Sequence, residues 1–207
     1  MQAKICGVKD KKTLKYIVSH SFAPKFIGFI CNYKKSKRFL QFNKLKNLLT
    51  VNKKYSKYVA VLVKPTRNEL EKFSLLPFDY FQVYDMSANE LKFIKKKYKI
   101  KVIAAITINN KKDVLKYREY KNIADIILFD SKGYEKSMSF DHKLIKNLRT
   151  KKKIMLAGNI QVDDALENYK KITDIIDISG GLETSGLKDV SKINIFLKKI
   201  KLIKNEN

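Results

Sequence analysis

The 207-residue sequence predicts an α/β fold, a single (β/α)8 TIM barrel that occupies residues 1–207 as one domain. Three observations predict it. Short apolar runs rich in β-branched residues recur eight times along the chain. A longer, lysine-rich segment with apolar residues at helical spacing follows each run. The runs are almost continuously apolar, which is typical of parallel strands covered by helices on one side and packed inside a barrel on the other.

Eight strands follow from the apolar runs. An open flavodoxin-like sheet is the alternative fold, but it normally needs only five strand–helix units, so eight units favour a closed barrel. The predicted strands are AKICGV (3–8), FIGFIC (26–31), YVAVLVK (58–64), YFQVYD (80–85), KVIAAITI (101–108), ADIILFD (124–130), KIMLAG (153–158) and DIIDIS (174–179).

Amphipathic helices are predicted between the strands. In ANELKFIKKKY (88–98), Leu91, Ile94 and Tyr98 recur at steps of three and four residues, which indicates a helix packed on one side. The segment KDVLKYREYKN (112–122) and a last segment near 189–203 have the same pattern.

The formal net charge of +25 raises the question of a nucleic-acid partner. Only four of the 45 basic residues are arginines, whereas nucleic-acid binders depend on arginine for bidentate phosphate and base contacts. The lysines also spread along the whole chain instead of forming one stripe. The composition therefore favours codon-driven drift over a specific nucleic-acid surface, although such a field would still attract a small polyanionic substrate.

The chain carries no membrane or disulfide signal. No apolar run approaches the ~18 residues that a membrane span requires. The first strand begins almost at the N-terminus, leaving no room for a signal peptide, so we expect a cytoplasmic protein, either a monomer or a homodimer. Two cysteines, Cys6 and Cys31, form no disulfide framework and are expected to be reduced.

The chemistry of such a barrel lies at the carboxyl ends of its strands. The predicted strand ends carry no histidine, since His20 follows the first helix and His142 opens the sixth. A metal site is therefore not expected. The predicted strand ends carry Cys6, Cys31, Asn32, Lys64, Asp85, Thr107, Asp130, Gly158, Asn159, Ser179, Gly180 and Gly181.

Glycines end the last two predicted strands, at Gly158 and in the run Ser179-Gly180-Gly181. The recurrent phosphate site of these barrels is built at these two ends, from loop amides and a short helix N-terminus. Glycine lets the backbone approach an anion and point its N–H groups inward. Glycines that only make turns are the alternative, but their presence at both ends favours a phosphorylated substrate.

Cys6 and Asp130 are the candidates for proton transfer. A cysteine at a strand end is most often a small buried hydrophobic residue. An aspartate that ends a hydrophobic strand must be solvated or paired. A thiolate base and a carboxylic acid facing one another across the barrel mouth would form an acid–base pair. The positive field of the chain is the only feature in the sequence that would activate the thiol.

Five segments, in order along nearly the whole chain, resemble the phosphoribosylanthranilate isomerase family of tryptophan biosynthesis. KICGVKD resembles its opening K-I-C-G motif, and GFICNYKKSKRFL its G-F-I-F…S-P-R segment. DIILFDS is similar to its L-L-D strand, and KIMLAGNI to L-A-G-G-L. DIIDISGGLETSGLKD is similar to the closing V-D-V-S-S-G-V-E…G-x-K-D signature. The first and the last match are specific to the family.

The resemblance implies an Amadori rearrangement without cofactor or metal, in which N-phosphoribosyl anthranilate becomes an aminodeoxyribulose phosphate. By motif position, Cys6 would be the general base that removes the proton from the sugar C2 atom. Asp130 would be the general acid that protonates the ring oxygen. Arg38 would hold the anthranilate carboxylate, and the loops at Gly158-Asn159 and Ser179-Gly180-Gly181 would bind the phosphate.

The chain departs from the family pattern in four places. S-P-R is Ser36-Lys37-Arg38, and the strand end Q-L-H-G is Gln82-Val83-Tyr84-Asp85. Within the loop 131–139, a G-G-T-G stretch is replaced by Tyr134-Glu135-Lys136-Ser137, although Phe140-Asp141 remain. The second glycine of A-G-G is Asn159, which tolerates a left-handed backbone better than most residues.

Other functions remain open at the sequence level. The isomerase of the histidine pathway resembles a barrel with aspartates at the ends of strands one and five, where this chain has Cys6 and Thr107. The indole-forming barrel of the tryptophan pathway has a longer N-terminus. A basic barrel that has lost catalysis and serves as a binding protein is the alternative from another class.

Overall fold

The computed structural model of the chain describes residues 1–131, 140–146 and 148–205. Eight parallel strands pair in chain order, and β8 pairs with β1 to close a barrel. The fold class and the existence of all eight strands are therefore confirmed. The strands are β1 Gln2–Cys6, β2 Phe26–Ile30, β3 Lys57–Val63, β4 Tyr80–Tyr84, β5 Lys101–Ile108, β6 Ile126–Ser131, β7 Lys153–Leu156 and β8 Ile175–Ile178.

Helices surround the barrel. A two-stranded hairpin, β9 Glu183–Thr184 and β10 Leu187–Lys188, lies between β8 and the last helix. The helices are α1 Lys11–Ser19, α2 Phe42–Leu48, α3 Arg67–Ser74, α4 Ala88–Tyr98, α5 Lys111–Val114, α6 Tyr117–Tyr120 and α7 Val190–Asn205, with 310 helices at His142–Ile145 and Leu166–Lys171.

Helix α4 has the bounds that its spacing predicts, because local capping agrees with its apolar face. The Ser87 hydroxyl accepts from the backbone N–H of Glu90, and the Glu90 carboxylate accepts from that of Ser87. Leu91 and Ile94 are buried against the barrel.

The single helix predicted over 112–122 is wrong. Two short helices, α5 and α6, occupy this segment because tight i→i+3 hydrogen bonds, such as Lys116 N–H to the Asp113 carbonyl at 3.1 Å, replace the continuous α-helical ladder. After β6 and β7, the described residues likewise contain 310 helices where full helical segments were predicted.

The buried side chains form two layers. The larger layer lies between strands and helices and includes Leu14, Leu45 and Phe196. The smaller layer contains residues of the strands and of the position directly after β7, among them Val59, Leu128 and Met155, and fills the interior of the barrel. The barrel is thus a packed core, and space for a ligand is confined to its ends.

Three aspartates repeat one contact at the amino-terminal end of the barrel. Asp79, Asp125 and Asp174 each precede an even-numbered strand and accept from a backbone N–H of the preceding odd-numbered strand, at 2.8–2.9 Å. Lys53 and Lys95 pair with the first two of them at 2.6 and 2.8 Å. Residues at this end of a barrel serve stability, which leaves the opposite end for chemistry.

Within the described part of the chain, no helix combines the length and apolar character that crossing a membrane requires.

Candidate active site

A cavity of about 580 Å³ opens at the carboxyl ends of the strands. Its volume suits a small-molecule ligand. The structure brings all eight predicted site residues to its lining: Cys6, Arg38, Asp130, Gly158, Asn159, Ser179, Gly180 and Gly181.

Other predicted strand ends do not line this cavity. Lys64 and Asp85 lie one residue beyond their strands, in left-handed backbone with φ of 41° and 56°. The Cys31 side chain packs in the outer core. The alternation of side chains along a strand explains these cases, because a strand end presents only every second residue to the interior.

Asp130 is held by two hydrogen bonds at the end of β6. The Tyr84 hydroxyl donates to Oδ2 at 2.7 Å, and the Ser131 backbone N–H donates to Oδ1 at 2.8 Å. Burial raises the pKa of Asp130 to about 6, and these two hydrogen bonds oppose the rise. A carboxyl group with this pKa exchanges a proton readily near neutral pH, as a general acid must.

Tyr84 and Gln82 extend this network along β4. Both side chains are buried on the same face of the strand, and Gln82 Nε2 donates to the Tyr84 hydroxyl at 3.1 Å. Burial and the neighbouring Asp130 raise the pKa of Tyr84 well above its usual value, so the phenol stays protonated and can donate. The sequence shows that Tyr84 replaces a family histidine, but not that it contacts Asp130.

A buried ion pair lies next to Cys6. Lys4 on β1 is fully buried, and its Nζ atom lies 2.7 Å from Oδ2 of Asp177 on β8. The Lys4 Nζ atom and the Cys6 sulfur both lie close to Gly28 on β2. Burial raises the pKa of Cys6, and the Lys4 ammonium group opposes that rise. Sequence reasoning missed both charges, although opposite charges inside two apolar strands are a signal that could have found them.

Arg38 lies in the loop after β2 and forms a bidentate pair with Glu183. Its Nε and Nη2 atoms lie 2.6 and 2.8 Å from the two carboxylate oxygens. Lys188 Nζ lies 2.8 Å from the same carboxylate. Two cations share one anion, so this side of the cavity carries a surplus positive charge that suits an anionic ligand.

The local backbone supports this position of Arg38. Its N–H donates to the Ser36 hydroxyl at 3.1 Å, which stabilises the loop turn where the family has a proline. The hydrogen bonds to Glu183 raise the pKa of Arg38. The guanidinium group is therefore a permanent cation at the mouth.

The two glycine-containing loops meet at one edge of the cavity. Gln161 and Gly181 form an isolated parallel bridge between the loops after β7 and β8. A Cβ atom at Gly181 would collide with the carbonyl of Ile160, so only glycine permits this approach. Gly158 and Asn159 have φ of 103° and 53°, which agrees with the expected left-handed tolerance of Asn159.

The segment after β8 is a turn and a hairpin instead of the short helix expected at this edge. The Leu182 N–H donates to the Ser179 carbonyl at 3.1 Å and closes the turn, and the chain then enters the β9–β10 hairpin. The hairpin carries Glu183 and Lys188, and their ionic contacts with one another and with Arg38 hold it at the mouth in place of a helix.

His142 has a structural position. It opens a 310 helix, and its ring packs at 4.9 and 5.3 Å from the rings of Phe140 and Tyr169. Burial lowers the pKa of His142. Across residues 1–131, 140–146 and 148–205, no group of three or more His, Cys, Asp or Glu side chains could hold a metal ion.

The replaced stretch Tyr134-Glu135-Lys136-Ser137, which the sequence places in the loop after Asp130, lies outside the described residues.

Comparison with known proteins connects this geometry to a family. The family model described as "N-(5'phosphoribosyl)anthranilate (PRA) isomerase" matches residues 3–199. The N-(5'-phosphoribosyl)anthranilate isomerase of Clostridium kluyveri is 29% identical over 206 residues, covering 99% of this chain and 100% of the relative.

Solved structures with a similar fold include isomerases of the same name. A crystal structure of phosphoribosyl anthranilate isomerase from Thermotoga maritima matches with a TM-score of 0.84 and 24% identity, covering 97% of this chain and 98% of that one. Another structure of this isomerase, in complex with reduced 1-(o-carboxyphenylamino)-1-deoxyribulose 5-phosphate, matches with a TM-score of 0.81, 22% identity and the same coverages.

Proposed function

The chain belongs to the N-(5'-phosphoribosyl)anthranilate isomerase family, and we propose that it works by acid–base catalysis between Cys6 and Asp130. The enzyme isomerises N-(5'-phosphoribosyl)anthranilate in tryptophan biosynthesis. The observation that carries the proposed mechanism is the cavity itself, in which the thiol, the carboxyl group and the rim arginine share one lining.

In the first step, Asp130 gives its proton to the ring oxygen of the furanose. The bond between this oxygen and C1 breaks, and the nitrogen lone pair forms a C=N bond to C1. The pKa of about 6 supports this role, since an ordinary aspartate would hold far less of the required proton near neutral pH. Tyr84 and Ser131 hold both carboxyl oxygens and so fix the direction of proton transfer.

In the second step, the Cys6 thiolate removes the proton from C2. The C–H electrons form a C1=C2 bond, and the C=N electrons return to nitrogen, which gives an enolamine. Transfer of a proton to C1, with loss of the proton from the C2 hydroxyl group, then yields the 1-amino-1-deoxyketose phosphate. This step requires the thiolate form of Cys6, because a protonated thiol cannot accept the C2 proton.

The lining offers two adjoining sets of groups for the two charged ends of the substrate. Arg38 and Lys188 share the single Glu183 carboxylate, and the positive charge that remains supports binding of the substrate carboxylate at the rim. The paired loops at Gly158-Asn159 and Ser179-Gly180-Gly181 support phosphate binding by backbone N–H groups. The complexed relative, which holds a carboxyphenylamino sugar phosphate, fits the same division.

We further propose that residues 1–207 form one barrel domain that needs no cofactor or metal. The protein would be cytoplasmic, as a monomer or a homodimer, without a membrane partner. It would have no specific nucleic-acid partner, so its binding to random duplex DNA should vanish by ~0.2 M salt.

A fluorescence assay tests the function. The purified chain is mixed with phosphoribosylanthranilate, whose fluorescence falls as it is consumed, and chromatography identifies the product. We expect turnover that remains after treatment with a metal chelator. Absence of turnover by the folded chain would reject the function and favour a binding protein on this scaffold.

A further inference from the structure

Lys4 and Asp177 are two buried charges that the two proton transfers above do not use. They occupy paired positions on neighbouring strands β1 and β8. Both side chains are almost inaccessible, at 0% and 5% exposure, and Nζ lies 2.7 Å from Oδ2. Two apolar side chains at these positions would cost less desolvation free energy, so the pair needs an explanation other than stability alone.

The pair lies directly against the thiol because Gly28 on β2 leaves room there. A Cβ atom at Gly28 would lie 2.9 Å from Cys6 Sγ and 3.0 Å from Lys4 Nζ. The ammonium group, the sulfur atom and this backbone position therefore share one small volume. Lys4 donates to the Asp177 carboxylate, and its positive charge favours the thiolate form of Cys6.

The charges that face Cys6 from the surrounding elements do not act equally. Lys4 on its own strand has the largest effect of any charged group, and it favours the thiolate. Asp177 opposes the thiolate more weakly, and Lys188 favours it. The titratable and charged groups that interact with Cys6 are Lys4, Cys31, Arg38, Tyr84, Asp177 and Lys188.

Cys31 is an internal comparison within the same protein. It is also buried, but its thiol donates to the Phe29 carbonyl at 3.2 Å. Besides burial, the pKa of Cys31 is affected by a hydrogen bond with the Val61 backbone and by Cys6. Burial raises its pKa far above that of an ordinary cysteine. The two thiols thus differ mainly in the neighbouring ammonium group.

We propose that Lys4 is a positioning residue that stabilises the thiolate of Cys6, and that Asp177 holds the Lys4 ammonium group in place for this purpose. The inference rests on the proposed function, in which Cys6 is the base. It names a source of activation for a thiol that has no histidine neighbour, and this source is local, unlike the diffuse positive field of the chain. Asp177 keeps Lys4 protonated, since a buried lysine without a carboxylate partner tends to lose its charge.

The test measures the two thiols directly. Cysteine labelled with ¹³C at Cβ gives one NMR signal for each cysteine, and a Cys31→Ser variant assigns them. In the wild-type chain, Cys6 should titrate at a pH at least about one unit below Cys31. If Cys6 titrates at or above the pH of Cys31, the proposal is overturned, whatever the variants show.

The double variant Lys4→Met/Asp177→Asn removes both charges while keeping similar side-chain volumes, so no unpaired charge remains buried. Its Cys6 midpoint should rise by about one pH unit or more, and alkylation of Cys6 by iodoacetamide at pH 8 should slow about tenfold. The control Lys95→Met/Asp125→Asn removes a partly exposed ion pair at the other end of the barrel and should leave both values unchanged. A folded double variant with a wild-type midpoint would contradict the role of Lys4.

These readouts separate the inference from the function. If the wild-type chain fails to consume phosphoribosylanthranilate, the function is rejected, but the titration of Cys6 still decides whether Lys4 activates it. If the isomerase is active and the midpoint does not depend on Lys4, the function stands and the inference is rejected.

Discussion

The Tyr84 hydroxyl and the Asp130 carboxylate form a hydrogen bond of 2.7 Å that connects β4 to β6 across the mouth of the barrel. The phenol donates to the carboxyl group and stabilises its ionised form relative to its protonated form, because an ionised carboxylate is the better acceptor. It therefore limits a pKa that burial raises to about 6. Tyr84 keeps Asp130 oriented and able to give up its proton.

Replacing Tyr84 with phenylalanine should raise the pKa of Asp130 by about one unit or more, since a hydrogen bond to a charged group contributes about 1.5–3 kcal/mol. A ¹³C titration of the Asp130 carboxyl carbon measures this, and the matching limb of the kcat/KM pH profile should move to higher pH. Tyr80→Phe, at the opposite end of β4, is the control and should leave the titration unchanged. An unaltered Asp130 midpoint in Tyr84→Phe would show that the hydrogen bond has no electrostatic role.

Asp130 should make stability depend on pH in a direction opposite to that of most aspartates. Its pKa in the folded state is about 6, above the ordinary 3.8, so the folded chain binds the extra proton as pH falls through this range. Relative to Asp130→Asn, the wild-type free energy of unfolding should gain about 2 kcal/mol between pH 7.5 and pH 4.5. Urea denaturation at the two pH values measures this gain. A difference that stays constant or changes sign would contradict the raised pKa.

Arg38→Lys keeps the positive charge but removes the bidentate geometry. We expect KM to rise about tenfold or more while kcat changes less than about threefold, because the proposed contact with the anthranilate carboxylate would be made in both the ground state and the transition state. Steady-state kinetics decides this. Arg67→Lys on α3 is the surface control with unchanged constants. A wild-type KM in Arg38→Lys would remove Arg38 from the binding site.

Asp125→Ala tests the division between the two ends of the barrel. The Val102 N–H would lose its acceptor at 2.8 Å, and Lys95 would lose its carboxylate partner. The free energy of unfolding should fall by about 1–3 kcal/mol, with kcat and KM unchanged. Chemical denaturation and kinetics on the same preparation test both parts. A large loss of kcat in the folded variant would contradict a purely structural role for this end.

The barrel was predictable because strand pattern and topology agree in this chain. Strands such as KVIAAITI at 101–108 are apolar and β-branched, and α4 has matching caps and spacing. The segment 112–122 has the same apolar spacing, but the buried Asp113 carboxylate accepts from the backbone N–H groups of Asn109 and Asn110 and fixes a short helix start. Spacing alone does not report such side-chain competition.

The site was predictable where a residue ends a strand, as with Cys6 and Asp130, because parallel strands bring their carboxyl ends together. Partners inside the strands were not predictable in this way. Lys4, Tyr84 and Asp177 lie within apolar runs, and their contacts depend on strand register and on close approach at Gly28. Glu183 was missed because it lies in a hairpin that replaces an expected helix.

A comparison of the two cysteines measures whether the Cys6 thiol performs proton abstraction in an isomerase. Cys6→Ser should lower kcat by about 10²–10⁴ while binding of a product analogue stays within about threefold. Cys31→Ser, which alters a buried thiol outside the cavity lining, should keep turnover close to wild type. Unchanged turnover in Cys6→Ser, with phosphoribosylanthranilate as substrate, would contradict the account.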